Sequence, residues 1–128
     1  MKKIFLIIIV SLSVKPSLSQ TNSQLIGTWK LNYSLQADKI KCDVPKDSTK
    51  LIFYKNGTYY WNEYGAVTKG KWKTLEHKIR FSNIEAVNFK GILSDVSYEI
   101  ELNKNTLIVH QPEGVEIDCP HQYYIKDK

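Results

Sequence analysis

Reactive groups are scarce in this chain. The three histidines, His77, His110 and His121, are scattered along 128 residues. No serine or cysteine stands in the glycine-flanked turn that exposes a nucleophile, and no glycine-rich phosphate loop is present. The closest carboxylate pair, Glu99 and Glu101, shares one polar parity, which solvates the outer face of a strand. Catalysis requires such groups to converge in a pocket. The chain is therefore read as a non-enzyme without a cofactor.

Long apolar runs are also lacking. Ile4–Val14 is apolar apart from two serines, and its length falls well short of the roughly 20 residues that span a bilayer. It follows Lys2 and Lys3 and precedes Ser17-Leu18-Ser19, a small-x-small site. That order predicts an export signal over residues 1–19, cut after Ser19, and no membrane span afterwards. The twin-lysine start and isoleucine-rich run suggest a bacterial source and a secreted or periplasmic destination. Cutting there leaves 109 residues, a single domain over 20–128 with enough chain for one core. Loss of Lys2, Lys3 and Lys15 lowers the formal charge from +5 to +2. The remaining basic run, Lys69, Lys71 and Lys73, alternates with Gly70 and Trp72 as a strand's outer face does, so nucleic acid is not expected as a partner.

Only two cysteines are present, Cys42 and Cys119. An even count in an exported chain favours a disulfide. A metal reading would add His110 and His121, but their spacing matches no zinc pattern, and no metal site is expected.

Helical periodicity is absent, and what fills the chain is alternation. In Leu25–Leu35, Trp29, Leu31, Tyr33 and Leu35 oppose Thr28, Lys30, Asn32 and Ser34, the mark of a strand with one buried face. Gln36–Thr49 is a polar loop, and Lys50–Tyr54 a second strand with Leu51 and Phe53 inward. Asn56-Gly57 predicts a type I′ hairpin, in which both central residues take positive φ. Thr58–Tyr64 is a strand so rich in aromatics that either face could point inward. Val67–Thr74 places Gly70, Trp72 and Thr74 inward, and Lys78–Ser82 places Ile79 and Phe81. Asn83–Ser94 settles on no period and is either a bent strand or a capping loop. Val96, Tyr98, Ile100 and Leu102 alternate cleanly, Leu107 and Val109 return, and Gln122–Lys126 closes with Tyr123 and Ile125 inward.

Short strands at regular spacing suggest a sandwich or a barrel. Tight turns make the order a meander, and closure removes free edges. In an up-and-down barrel of about eight strands, the loop after the first strand and the loop before the last lie at the same end, on neighbouring strands. Those loops carry Cys42 and Cys119, so a disulfide there would seal the seam. The expected fold is all-β, an antiparallel up-and-down barrel.

The chain resembles the lipocalin-like barrels, especially short exported bacterial ones. The resemblance rests on Gly27-Thr28-Trp29, Phe53-x-x-Asn56-Gly57-Thr58-Tyr59, Gly70-x-Trp72, Ile100-x-Leu102 and Leu107-x-Val109, and covers nearly the whole chain after the signal. It implies a closed barrel with a tryptophan plugging one end. Full-length lipocalins add a helix on the barrel and an arginine near the last strand covering that tryptophan. Here the only arginine is Arg80, in the fifth strand, and no helix follows the last strand. Fatty-acid-binding proteins begin similarly, but their arginine–tyrosine grip and helical pair are absent.

Two readings of function remain. In one, the barrel carries a small, mostly apolar molecule. Trp29, Tyr33, Phe53 and Trp72 then line its interior with Phe81, Tyr98, Ile100 and Tyr123. In the other, side chains fill the barrel and it serves as a scaffold for protein contact, with the aromatics of Tyr59–Tyr64 exposed and Trp61 as an anchor. An eight-stranded barrel is just wide enough for either.

Overall fold

The computed structural model describes residues 18–43, 49–87, 90–112 and 119–127. A short helix, α1 (Leu18–Leu25), leads into eight strands: β1 (Gly27–Leu35), β2 (Lys50–Phe53), β3 (Thr58–Glu63), β4 (Ala66–Leu75), β5 (Lys78–Ala86), β6 (Val96–Asn103), β7 (Thr106–His110) and β8 (His121–Lys126). Each strand pairs antiparallel with its sequence neighbour, and β8 pairs with β1 to close the barrel. The seam is bridged by Cys42–Cys119, whose Cα atoms are 6.3 Å apart. The fold, the strand order and the disulfide are those the sequence predicts.

The helix is not. Leu25 belongs to α1, so the first strand starts at Gly27, where φ is +132° and a side chain would press on Lys126. Too short to show a helical period, α1 is held instead by its contacts with the barrel. Leu25 is fully buried, and its carbonyl accepts the Trp29 indole N–H at 2.8 Å. Thr74 Oγ1 donates to Asn22 Oδ1 at 2.5 Å, and Lys126 Nζ donates to the Gln24 carbonyl at 2.8 Å. All of these α1 partners follow Ser19, the position of the expected cut. The same Lys126 ammonium lies 5.3 Å from the Trp29 ring centroid, a cation–π contact. Trp29 is thus plugged from below by α1 and covered by a lysine from β8.

Among its described residues, Asn83–Ser94 supplies no strand of its own. β5 continues to Ala86, and Ile84 bridges to Leu93 beyond the bend. Two bulges set the facing of side chains. The extra residue of the first lies in β5, at Ser82–Asn83 where Asn83 takes φ +50°, opposite Gly70 of β4, whose backbone approaches so closely that a Cβ would lie 2.6 Å from the Ser82 carbonyl. In β1 the register with β8 shifts between Leu31 and Tyr33. An extra residue in one strand reverses the facing of those beyond it. Ser34 therefore points inward, fully buried, and Tyr33 points outward. In β8 the inward residues are Gln122 and Tyr124, opposite the expected parity, and Ile125 is exposed.

Turn chemistry also departs from expectation. At Asn56-Gly57 only Gly57 takes positive φ (+89°); the Asn56 side chain caps the loop by accepting from Thr58 N and Oγ1 at 3.1 and 2.7 Å. The turn with two positive φ values is Tyr64-Gly65, at +54° and +95°, joining β3 to β4. In the Gln36–Thr49 loop, Gln36 and Ile40 form a small turn, while residues 44–48 lie outside the described ones, as do 113–118 of the loop before β8.

Candidate functional site

The barrel has a helix end, holding α1 and Trp29, and a disulfide end, where β1, β3, β5 and β7 finish. Between them the interior is packed with rings. Phe81 on β5 is the hub: its centroid lies 4.4 Å from Tyr59, 5.5 Å from Trp61, 5.7 Å from Tyr98 and 6.3 Å from Phe53. Phe53 meets Trp72 edge-on at 4.9 Å, and Trp72 donates its indole N–H to the Tyr54 carbonyl at 3.2 Å. Edge-to-face and tilted pairs at these separations are favourable beyond the area they bury.

Above the rings, toward the disulfide end, the interior turns polar. Trp61 Nε1 donates to the Tyr124 hydroxyl at 3.1 Å, and that hydroxyl donates to Gln122 Oε1 at 2.8 Å. Gln122 Nε2 donates in turn to Glu63 Oε2 at 2.6 Å, and Gln111 Nε2 reaches the same oxygen at 3.3 Å. Beside this chain the Ser34 and Tyr64 hydroxyls share a 2.6 Å hydrogen bond, and Tyr64 N donates to Thr49 Oγ1 at 3.0 Å. Left-handed backbone at a tyrosine is strained. The two bonds from Tyr64 to Ser34 and Thr49 hold it there.

Glu63 is the unusual member. It sits on the inward parity of β3, after Tyr59 and Trp61, and no ion pair reaches it among the described residues. Burial raises its pKa, against the lowering effect of the hydrogen bonds from Gln122 and Gln111. Its charge and burial act on its neighbours too. Burial first, then the Glu63 charge, pushes the Tyr98 hydroxyl upward, and the same causes raise Tyr124. The half-buried carboxylate thus has part of its water replaced by two neutral amides, and it is the burial, not the amides, that disfavours its charged form.

The eight residues expected to line a ligand site do not all come together. Phe53, Phe81 and Ile100 are buried in the ring-packed zone with Trp72, and Tyr98 stands half-buried at its upper edge, 5.3 Å from Trp61. Trp29 forms the floor under α1 and is fully buried. Tyr33 and Tyr123 lie on the outer face, stacked on each other at 4.5 Å with the Lys41 ammonium 5.1 Å from Tyr33. The extra residue in β1 turns Tyr33 out, whereas β8 alternates without a break and carries Tyr123 on its outward parity beside the inward Gln122 and Tyr124.

The exposed aromatic face expected on Thr58–Tyr64 is likewise corrected. Tyr59 and Trp61 are buried, leaving Tyr60 on the outside. Together with Tyr54, Lys69, Lys71, Asn83 and Ile92 it lines a groove of about 680 Å³ that lies outside the barrel, over the flat spot left by Gly70.

Sequence reasoning missed Glu63, Gln122, Tyr124, Tyr64, Ser34 and Gln111. Glu63 could have been reached, because it shares parity with Trp61 once the inward face of β3 is known. Ser34 could not, because the β1 bulge inside a clean alternation leaves no mark in the sequence, and Gln122 and Tyr124 could not, because β8 places a tyrosine on each of its faces.

No family matches. Neither a curated protein nor a solved structure matches the chain. The polar cluster is therefore read on its chemistry alone. Among the described residues no group of three or more metal-ligating side chains converges there or elsewhere. The cluster offers hydrogen-bond acceptors, amides and hydroxyls above an apolar, aromatic floor.

Proposed function

We propose that this chain is an exported, lipocalin-like barrel that binds one small, mostly apolar molecule at its disulfide end. The apolar part rests on Trp61 and Tyr98, and a polar end meets Glu63 and Gln122. One observation carries the reading: a carboxylate placed inside the barrel and bonded only to neutral amides. A core built for stability alone gains nothing from a half-buried carboxylate with no cation paired to it among the described residues, whereas binding sites are apolar pockets with a few placed polar groups. The disulfide supports an oxidising destination. The tryptophan covered by Lys126 at the helix end supports the lipocalin-like reading, although the covering arginine of full-length lipocalins is not present.

The test uses N-phenyl-1-naphthylamine, a neutral apolar probe whose emission rises on leaving water. The oxidised protein is expected to bind it saturably. Val96→Trp, which adds bulk beside Tyr98, is expected to abolish that binding while the thermal midpoint holds. Saturable binding that Val96→Trp leaves unchanged would overturn this placement of the site.

A second reading has its own support. The rings around Phe81 fill the middle of the barrel, which suits a non-enzymatic scaffold for protein contact. On that reading the outer groove at Tyr54 and Tyr60 is the contact surface, and Tyr60→Ala would remove a partner that Val96→Trp retains.

A further inference from the structure

The histidines that stand 11 positions apart in sequence are brought side by side on the outer wall. His110 ends β7, His121 begins β8, and the two are direct cross-strand partners. Their rings are nearly perpendicular, at 76°, with centroids 5.0 Å apart, and the Nδ1 atoms face each other at 2.8 Å. On the far side of His110, Nε2 meets Glu101 Oε2 at 2.7 Å. When His110 is neutral and carries its proton on Nε2 toward the carboxylate, it presents a bare Nδ1 lone pair, and His121 supplies the Nδ1–H between the rings.

We propose that His110 and His121 form a two-imidazole site for a divalent transition metal, with Glu101 as its positioning residue. Metal–imidazole bonds of about 2.0–2.1 Å place two nitrogens about 2.9 Å apart at a right angle and about 3.3 Å apart in a tetrahedron. The observed 2.8 Å is within a few tenths of that span, so the two nitrogens already stand at ligating separation, and a metal ion bound to the side of the N···N line would take both once the rings turn their lone pairs towards it. The proton balance is closed: the His121 proton moves from Nδ1 to its own Nε2, and both Nδ1 lone pairs turn to the metal. Glu101 completes the carboxylate–histidine–metal arrangement that orients ligating imidazoles and raises their basicity.

The surroundings fit an open site. The His110 side chain is 24% exposed, leaving water to fill the remaining coordination positions. The Cys42–Cys119 bond lies two residues before His121 and ties down the start of β8. Neutral imidazole ligands suit copper and zinc, and copper(II) binds the tighter of the two.

The experiment is calorimetric titration of copper(II) and zinc(II) into the oxidised, chelator-washed chain without a tag. One ion per chain is expected, with copper tighter. His110→Gln and His121→Gln are each expected to weaken binding at least about tenfold, and Glu101→Gln by about tenfold, in line with the loss of an orienting partner. His77→Gln, in the distant β4–β5 turn, should change nothing. Electron paramagnetic resonance of the copper form, which needs no variant, should show coupling to two imidazole nitrogens. Absence of saturable uptake at millimolar metal would overturn the proposal, as would binding that persists in the His110→Gln/His121→Gln protein or a copper spectrum without paired imidazole nitrogens.

Discussion

Glu63 keeps its carboxyl inside a barrel, and its titration should therefore be visible in stability. Its folded pKa lies above its unfolded one because burial outweighs the two amide bonds. The folded state then holds the extra proton, so its contribution to stability is greatest below the unfolded pKa and is lost as pH rises through the folded one. Glu63→Gln keeps an oxygen for Gln122 and Gln111 but cannot ionise. The urea midpoint of the variant is expected to match the wild type in acid and exceed it at neutral pH. A constant difference across that range would place the charge in water rather than in the barrel. Gly70 makes a sharper demand. A methyl group there would sit 2.6 Å from the Ser82 carbonyl and 3.0 Å from the Tyr59 ring. Gly70→Ala is expected to destabilise by about 1–3 kcal/mol, the usual range for overpacking, read from denaturant unfolding.

At the scale of elements, α1 is a plug rather than an ornament. Leu25 is fully buried beneath the barrel and gives Trp29 its hydrogen bond through the backbone. Leu25→Ala should lose about 2–5 kcal/mol, as other large-to-small core changes do. A loss under about 0.5 kcal/mol, the scale of surface substitutions, would mean that the helix merely rests on the barrel. The strands themselves were legible in the sequence, because Trp29 and Leu31, Ile79 and Phe81, and Tyr98 and Ile100 alternate with charged or hydroxylated neighbours that must face water. The closure was legible too, since only one arrangement brings Cys42 and Cys119 together across a seam. What was hidden has physical causes. Eight residues are too few to display a helical period in α1. The β1 bulge inserts one residue into a perfect alternation and so sends Tyr33 outward and Ser34 inward. In β8 the run Gln122-Tyr123-Tyr124-Ile125 places a tyrosine on each face, so its inward parity, Gln122 and Tyr124, was not marked by apolar alternation. The aromatic floor of the candidate site could therefore be foreseen at Phe53, Phe81 and Tyr98, but its polar roof could not.

For the whole molecule, the disulfide and the interior cluster act at the same end. Cys42 and Cys119 are separated by 77 positions, so closing that loop stabilises by about 4 kcal/mol in the chain-entropy model. Reduction is expected to lower the denaturant midpoint and to loosen the β1–β8 seam that positions Ser34 and Gln122. We propose that the disulfide end of the barrel holds a small molecule against Glu63, and weighing the protein, exported by its own host and never reduced, under native and denaturing conditions puts that proposal to the test. The denatured mass is expected two hydrogens below that of the reduced chain, and the native mass is expected to exceed it by one discrete small molecule, lost from Val96→Trp. Identical native and denatured masses, together with no saturable uptake of the neutral probe, would contradict it and leave the filled barrel as a scaffold.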